Sequence, residues 1–381
     1  MSFPVDVVVM AAGKGTRMKS QRPKVLHRLA GRALAQRVID CAARLSARSV
    51  VVITGHGAEQ VEAGLQPATG MALRFVRQEP QLGTGHAVQQ AVPVLPDDGV
   101  VLILNGDVPL IEPATLEALL QACDGQHLAL LSVDTGADAT GYGRVVRAAD
   151  GAVWAIVEHK DASAEQRQIT EWYSGVMAAP ATVLKPLLAL LDNDNSQREY
   201  YLTDVVRHAV AKGVGVRAIT TADAVQVAGV NSPAQLAELE RAHQGRMAQA
   251  LMEQGVRLAD PARLDVRGEL QCAPDVDIDV NCVFEGRVSL GEGVRIGANC
   301  VIANATIGAG AVIHPFTHID GEKLGVSVGP GSLVGPFARL RPGAQLGAEV
   351  HIGNFVEVKN STLADGAKAN HLAYLGDATV G

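Results

Sequence analysis

The chain has 381 residues, a length that accommodates two or three domains, and 48% of them are apolar, enough to fill their cores. Its 33 Lys and Arg against 40 Asp and Glu leave a formal charge of -7, which argues against a general nucleic-acid or anionic-membrane binder but leaves room for a local basic pocket. Aromatic residues make up 3% of the chain while glycines number 40, so tight turns and small-residue contacts are expected. Val5 to Ala12 reads as a buried strand, Ala33 to Leu45 as a helix and Ser49 to Thr54 as a second strand. Leu73 to Arg77, Val100 to Asn105 and Leu128 to Val133 repeat the strand pattern, with helical segments at Gly85 to Ala91 and Pro113 to Ala122 between them. This alternation predicts βαβ units and a mostly parallel sheet covered on both faces. In such sheets ligands bind beyond the C-terminal ends of the strands.

Ser232-Pro233 then opens a long helix, with Ser at the N-cap and Pro at the first helical position. Leu236, Leu239, Met247 and Leu251 form its apolar stripe, and Gly255 is the expected stop. The expected division is a domain at 1–231, a connecting helix at 232–256 and a second domain at 257–381.

From Ile278 the apolar spacing changes to six: Ile278, Phe284, Leu290, Ile296 and Ile302, then a five-residue step to Ile307, followed by Ile313 and Ile319. Asp320 to Ser327 interrupts the series, which resumes at Val328, Val334, Leu340, Leu346, Ile352 and Val358. This is the hexapeptide repeat of a parallel β-helix, one flat face per step, with the aliphatic residue pointing inward. The Gly that often follows it is expected to turn the corner. The sequence stops at Gly381, inside the repeat that begins at Leu375, with no atypical closing repeat. The expectation is a shortened form of a longer protein.

The cysteines, Cys41, Cys123, Cys272, Cys282 and Cys300, are odd in number and form no CxxC pair, so neither a disulfide framework nor a Cys-based zinc site is expected. The N-terminus has no basic stretch before a long apolar run, and no window reaches about 18 uninterrupted apolar residues. A cytoplasmic chain without a signal peptide or membrane span is expected.

The run Met10-Ala11-Ala12-Gly13-Lys14-Gly15-Thr16-Arg17-Met18 follows the first strand directly. Small residues there let backbone N–H groups approach a phosphate, and Arg17 and Lys24 add charge. The run is neither GxxxxGK[ST] nor GxGxxG. Together with Pro23-Lys24-Val25-Leu26, it is similar to the signature of sugar-1-phosphate nucleotidylyltransferases. Gln81-Leu82-Gly83-Thr84-Gly85-His86-Ala87, Gly106-Asp107-Val108-Pro109-Leu110, Gly141-Tyr142-Gly143-Arg144, Val157-Glu158-His159-Lys160-Asp161-Ala162 and Gly229-Val230-Asn231 extend the match. With the later Lys368-x-x-His371-Leu372-x-Tyr374, the whole chain resembles the bacterial bifunctional N-acetylglucosamine-1-phosphate uridyltransferases/glucosamine-1-phosphate acetyltransferases.

That resemblance implies an α/β plus β architecture: a Rossmann-like nucleotidyltransferase domain, a connecting helix and a left-handed β-helix that trimerises. It implies transfer of UMP from UTP to N-acetylglucosamine-1-phosphate, with Mg²⁺ held by Asp107 and Asn231. Arg17 and Lys24 are carried over as catalytic cations, with Lys24 also holding the triphosphate. Met10, Ala11, Ala12 and Gly13 match backbone positions around the nucleotide, and Gln78, Gly83 and Thr84 match the uracil-recognising positions. Asn105 and Gly106 precede the metal-binding Asp107. Gly143 and Glu158 match sugar-binding positions, and Tyr173 stands where one sugar contact is expected. For the second site, His371 matches the general base, Glu357 its orienting acid, and Arg341, Lys359 and Tyr374 the binders of glucosamine-1-phosphate, with acetyl-CoA as acyl donor. Because the family's acetyl-CoA coils lie beyond Gly381, uridylyl transfer without efficient acetylation is expected.

Three positions depart from the family pattern. Asn105 stands where Tyr is common, Asn370 where Gly is common, and Glu171-Trp172-Tyr173-Ser174-Gly175 replaces E-x-N-[TA]-G. The first and last leave open another sugar-1-phosphate nucleotidylyltransferase, using glucose-1-phosphate or dTTP, with a β-helix serving only trimerisation. A scaffold that merely binds ligand is a further alternative, against which the intact Arg17, Lys24, Asp107 and Asn231 speak. The remaining histidines show no metal-ligand spacing.

Overall fold

The computed structural model describes residues 3–68, 70–136 and 139–381. The chain divides into two compact units, Met1–Arg28 with Ala33–Leu239, and Leu29–Arg32 with Glu240–Gly381. The helix Pro233–Glu253 runs through the boundary between residues 239 and 240. Its start follows the predicted chemistry: the Gln235 N–H donates to Ser232 Oγ at 3.3 Å, and Gly255 beyond its end has φ +92°. No helix among the described residues is long and apolar enough to cross a membrane.

The first unit is built on one twisted sheet. Its strands lie in the order Val216–Thr221, Leu128–Val133, Trp172–Pro180, Val100–Asn105, Val5–Met10, Ser49–Thr54, Ala72–Arg77. Alternate residues of these strands feed two cores. Val7, Val9, Val50, Val52, Leu102 and Leu104 face one side with Val38, Ile39 and Leu116. Val8, Val51, Ile53, Val101 and Ile103 face the other with Val88, Leu184 and Val205. Burial on both faces explains why the strands read as continuous apolar runs. The sheet departs from a simple parallel order at Trp172–Pro180, which runs antiparallel to both neighbours. The hairpin Arg144–Arg147/Val153–Val157 attaches beside it. An antiparallel strand needs no crossover helix, so a helix-strand alternation carries no trace of it.

The predicted strand Val5 to Ala12 ends at Met10. Ala11 to Gly13 are thereby released into the loop beyond the sheet edge.

The second unit is a parallel β-helix with three internal ladders. Ile278, Ile296, Ile313, Val334, Ile352 and Ala369 stack on one face. Phe284, Ile302, Ile319, Leu340, Val358 and Leu375 stack on the second. Leu290, Ile307, Val328, Leu346, Leu363 and Val380 stack on the third. The ladders thus continue past Val358, where the predicted series ended.

The corner glycines act differently from the expectation. Left-handed backbone at the corners belongs to residues such as Asn281, Asn299, Phe316, Phe337 and Phe355, with φ of 55–62°. The glycine after an inward aliphatic provides clearance instead. A methyl on Gly353 would overlap the carbonyl oxygen of Asn370 in the next coil. Phe316, Phe337 and Phe355 also form an exposed stack, with ring centroids 5.0 and 5.4 Å apart.

Candidate active site

Two adjoining cavities open at the C-terminal ends of Val5–Met10 and Val100–Asn105, the edge expected of an α/β sheet. The larger, about 450 Å³, is lined by Met10, Ala11, Ala12, Gly13, Lys24, Gln78, Gly83 and Thr84. Asn105, Gly143, Glu158, Tyr173 and Asn231 line the second, about 420 Å³. Met10, Thr84, Asn105 and Asp107 border both. The two strand ends are tied where they diverge, because the Gly106 N–H donates to the Met10 carbonyl at 2.9 Å.

At the shared border Lys24 Nζ donates to Asp107 Oδ2 and, at 3.1 Å, to Asn231 Oδ1. Val230 N donates to the Asp107 carbonyl at 2.9 Å and fixes the Gly229–Asn231 turn against the Asp107 loop. A carboxylate and an amide oxygen, far apart in sequence, therefore already share one cation. This donor set fits a hard divalent ion that completes its shell with phosphate and water oxygens. Among the described residues no cluster of three or more His, Cys, Asp or Glu is placed to hold a metal.

Arg17 lies exposed in the short turn Thr16–Met18. It lines neither cavity, and among the described residues it has no hydrogen bond or ion pair.

Gln78 is buried, and its Nε2 donates to the Gly83 carbonyl at 2.9 Å. Thr84 Oγ1 accepts from Leu202 N at 3.0 Å. Gln81, part of the Gln81–Ala87 run, donates to the Ala12 carbonyl and stiffens the loop. Lys14 and Glu199 also reach the larger cavity; the sequence carried no signal for Glu199.

In the second cavity Thr203 Oγ1 donates to Glu158 Oε1 at 3.0 Å, and Tyr142 stacks on Trp172 with centroids 4.0 Å apart. Thr203 and Tyr142 were not singled out from sequence. Burial pushes the Glu158 carboxyl above the usual glutamate range; Asp204, Asp161 and Glu199 add to this, and the Thr203 hydrogen bond opposes it. Because the unfolded chain ionises at lower pH than the native state, native stability falls as pH rises from the ordinary glutamate value through the raised one. Glu158→Gln should therefore melt higher than the parent above that window and converge with it at acid pH, as read by thermal melts across pH.

In the second unit, Arg341 Nη1 donates to Glu357 Oε1 at 2.8 Å, and Arg339 approaches the other oxygen at 3.7 Å. Tyr374 lies beside Glu357 in the next coil, and Lys359 beside Gly376. Arg341, Glu357 and Tyr374 are thus brought together. His371 stands on a neighbouring face of the prism, paired with Asn354. It is exposed, and among the described residues its imidazole has no hydrogen-bond partner. Glu357 is engaged by arginines rather than by His371. The five thiols are held up by burial, Cys41 and Cys300 to about 12 and Cys123, Cys272 and Cys282 to about 11, which keeps them protonated near neutrality.

Residues 7–257 match the MobA-like NTP transferase domain. The fold likeness agrees: a solved structure described as UDP-glucose pyrophosphorylase complexed with UDP-glucose superposes with TM-score 0.53 at 17% identity, over 64% of this chain and 99% of that one. The family match over residues 7–257 makes the chain a nucleotidyltransferase.

The chain is 73% identical to the bifunctional protein GlmU of Polaromonas naphthalenivorans (strain CJ2), over 99% of this chain and 81% of that one. It is 72% identical to the GlmU of Polaromonas sp. (strain JS666 / ATCC BAA-500), over 100% and 82%. The chain belongs to the bifunctional GlmU family.

Proposed function

We propose that the paired cavities of the first unit hold UTP and N-acetylglucosamine-1-phosphate and join them into UDP-N-acetylglucosamine. A phosphate oxygen of the sugar phosphate attacks the α-phosphorus of UTP; the new phosphoanhydride forms as the bond to the departing pyrophosphate breaks. No side-chain nucleophile is required, so positioning and charge neutralisation supply the rate. The Ala11–Gly13 backbone approaches the phosphates closely. Lys24 and Arg17 offset their charge, Arg17 from the exposed turn beside the loop. Gln78 and the Gly83–Thr84 backbone suit the donor and acceptor edge of uracil. Glu158 accepts from a sugar hydroxyl, and Gly143 offers its N–H. When bound, Mg²⁺ on Asp107 and Asn231 supplies electrostatic stabilisation of the phosphates.

The observation that carries this reading is the Lys24 bridge between Asp107 and Asn231 at the border of the two cavities. The test is pyrophosphate release from a panel of nucleotides and sugar phosphates. UTP with N-acetylglucosamine-1-phosphate should be the preferred pair, and preference for dTTP or glucose-1-phosphate would replace it with the alternative transferase.

For the second unit the reading assigns Arg341, Lys359 and Tyr374 to the phosphate of glucosamine-1-phosphate, with Glu357 holding Arg341. His371 is the group that would take the proton as the sugar amine attacks the acetyl-CoA thioester, a reaction this chain is expected to perform poorly or not at all; robust release of free thiol from acetyl-CoA and glucosamine-1-phosphate would overturn that expectation. The family likeness makes this unit a homotrimer on the same reading, and the exposed Phe316, Phe337 and Phe355 stack offers an apolar surface for such a contact. Light scattering should return three chain masses. The enzyme's place on this reading is the cytoplasm.

A further inference from the structure

Gln78 is 5% exposed and lines the larger cavity. Both hydrogens of its side-chain amide are directed at groups of the protein: Nε2 donates to the Gly83 carbonyl at 2.9 Å and stands 3.2 Å from His86 Nδ1. Its Oε1 has no hydrogen-bond partner among the described residues, so that oxygen is the atom the side chain can offer a ligand. His86 belongs to the first turn of the helix Thr84–Ala91, and that turn is clamped. Gly85 N donates to the Tyr200 carbonyl at 2.7 Å, and Leu202 N donates to Thr84 Oγ1 at 3.0 Å. A Cβ on Gly85 would press on Leu191 and Tyr200. The run Gly83–His86 thus presents Gln78 with two acceptors in fixed positions, a carbonyl oxygen and a ring nitrogen. Turning the amide over would set Oε1 against both lone pairs.

The other ring nitrogen of His86 faces Gln90 Nε2 at 3.1 Å. An imidazole with one proton accepts at one nitrogen only, so the two amides compete for it. The buried one prevails. A stranded N–H costs more at Gln78 than at Gln90, which is partly exposed and also has the His86 carbonyl at 3.1 Å. His86 then accepts at Nδ1 and carries its proton on Nε2.

We propose that His86 is a positioning residue for base selection: by accepting from Gln78 at Nδ1 it holds the amide with its oxygen toward the nucleotide, so the site takes a pyrimidine that presents an N–H and turns away one that presents a lone pair. Uracil carries a hydrogen on N3, and cytosine has a bare N3. The proposal rests on the reading that Gln78 and Gly83–Thr84 receive the base. His86 lines neither cavity and so acts only through Gln78. A site arranged to hydrogen-bond one substrate group discriminates against its absence, because the protein atom is then left unpaired.

The test compares His86→Phe and His86→Asn in the full chain. Phe keeps a flat ring and removes the acceptor; Asn can place its side-chain oxygen where Nδ1 stood. The readouts are KM and kcat with UTP and with CTP, and KM for N-acetylglucosamine-1-phosphate. In His86→Phe the UTP KM should rise about five- to tenfold, with kcat and the sugar-phosphate KM near those of the parent. The ratio of kcat/KM for UTP over CTP should fall by about tenfold. His86→Asn should recover most of both losses. If His86→Phe does not fold, His86→Gln, whose amide reaches the Nε2 position instead, takes its place and should show the same losses. Equal losses in the Asn variant and its counterpart would mean that the ring serves packing alone, and no loss in either would leave Gln78 oriented without it; each result overturns the proposal. A parent that uses CTP as well as UTP removes the underlying reading of Gln78 instead.

Discussion

Asp107→Asn should lower uridylyl transfer by about 10³-fold, because one change removes the carboxylate from the centre where phosphate charge must be neutralised. Asp107 is 19% exposed and its partner Lys24 14%, so the field between them is only partly screened by water. In the parent, Lys24 shares Asp107 with Asn231. In the variant the ammonium keeps two amide oxygens within reach and loses its opposite charge. The turn around Gly229–Asn231 stays in place, since it hangs on the Asp107 backbone carbonyl rather than the side chain. The loss should therefore appear in kcat, together with a raised Mg²⁺ requirement, while circular dichroism stays that of the parent. Steady-state pyrophosphate release across a Mg²⁺ titration checks this. A variant retaining more than about a tenth of the parent's turnover would remove Asp107 from the reacting centre.

Phe284→Ala should cost about 3–5 kcal/mol in the second unit. Phe284 is 1% exposed and sits in a ladder between Val266 and Ile302. Each coil is held by its neighbours, so a void on the axis cannot be closed by a local shift without breaking the register above and below. Both tryptophans, Trp154 and Trp172, lie in the first unit, which lets the two units be followed apart. In a denaturant series the far-ultraviolet dichroism should lose its β-helix contribution earlier than in the parent. Tryptophan fluorescence should hold its midpoint. A dichroism shift worth less than about 1 kcal/mol would mean that the axis is looser than its burial implies.

Sequence patterning was most legible where one physical demand acts on every repeat. The six-residue spacing of Ile278, Phe284 and Leu290 expresses a prism whose interior admits one aliphatic residue per face, and the ladders follow it residue for residue. The strand runs at Ser49–Thr54, Val100–Asn105 and Leu128–Val133 were equally plain, because burial on both faces leaves only Ser49, Thr54, Asn105 and Ser132 as polar residues in them. Trp172–Pro180 was not legible: its Ser174-Gly175 break resembles a loop until the cross-strand pairing is seen.

The candidate site divides along the same line. Ala11 to Gly13, Lys24 and Asp107 stand out in the chain because loop, cation and carboxylate each follow a strand or a recognisable run. The type of chemistry proposed, phosphate handling by small residues and basic arms, is thus suggested locally. Thr203, Tyr142 and the unpaired hydroxyl of Tyr173 are not, since each acquires meaning only from a partner more than ten residues away or from the lack of one. Local order depends on neighbours along the backbone, and the repeats and loops of this chain carry that information in themselves. Which oxygen meets which cation, and which buried polar atom stays unpaired, depends on how distant strands pair, and three-dimensional packing alone settles it.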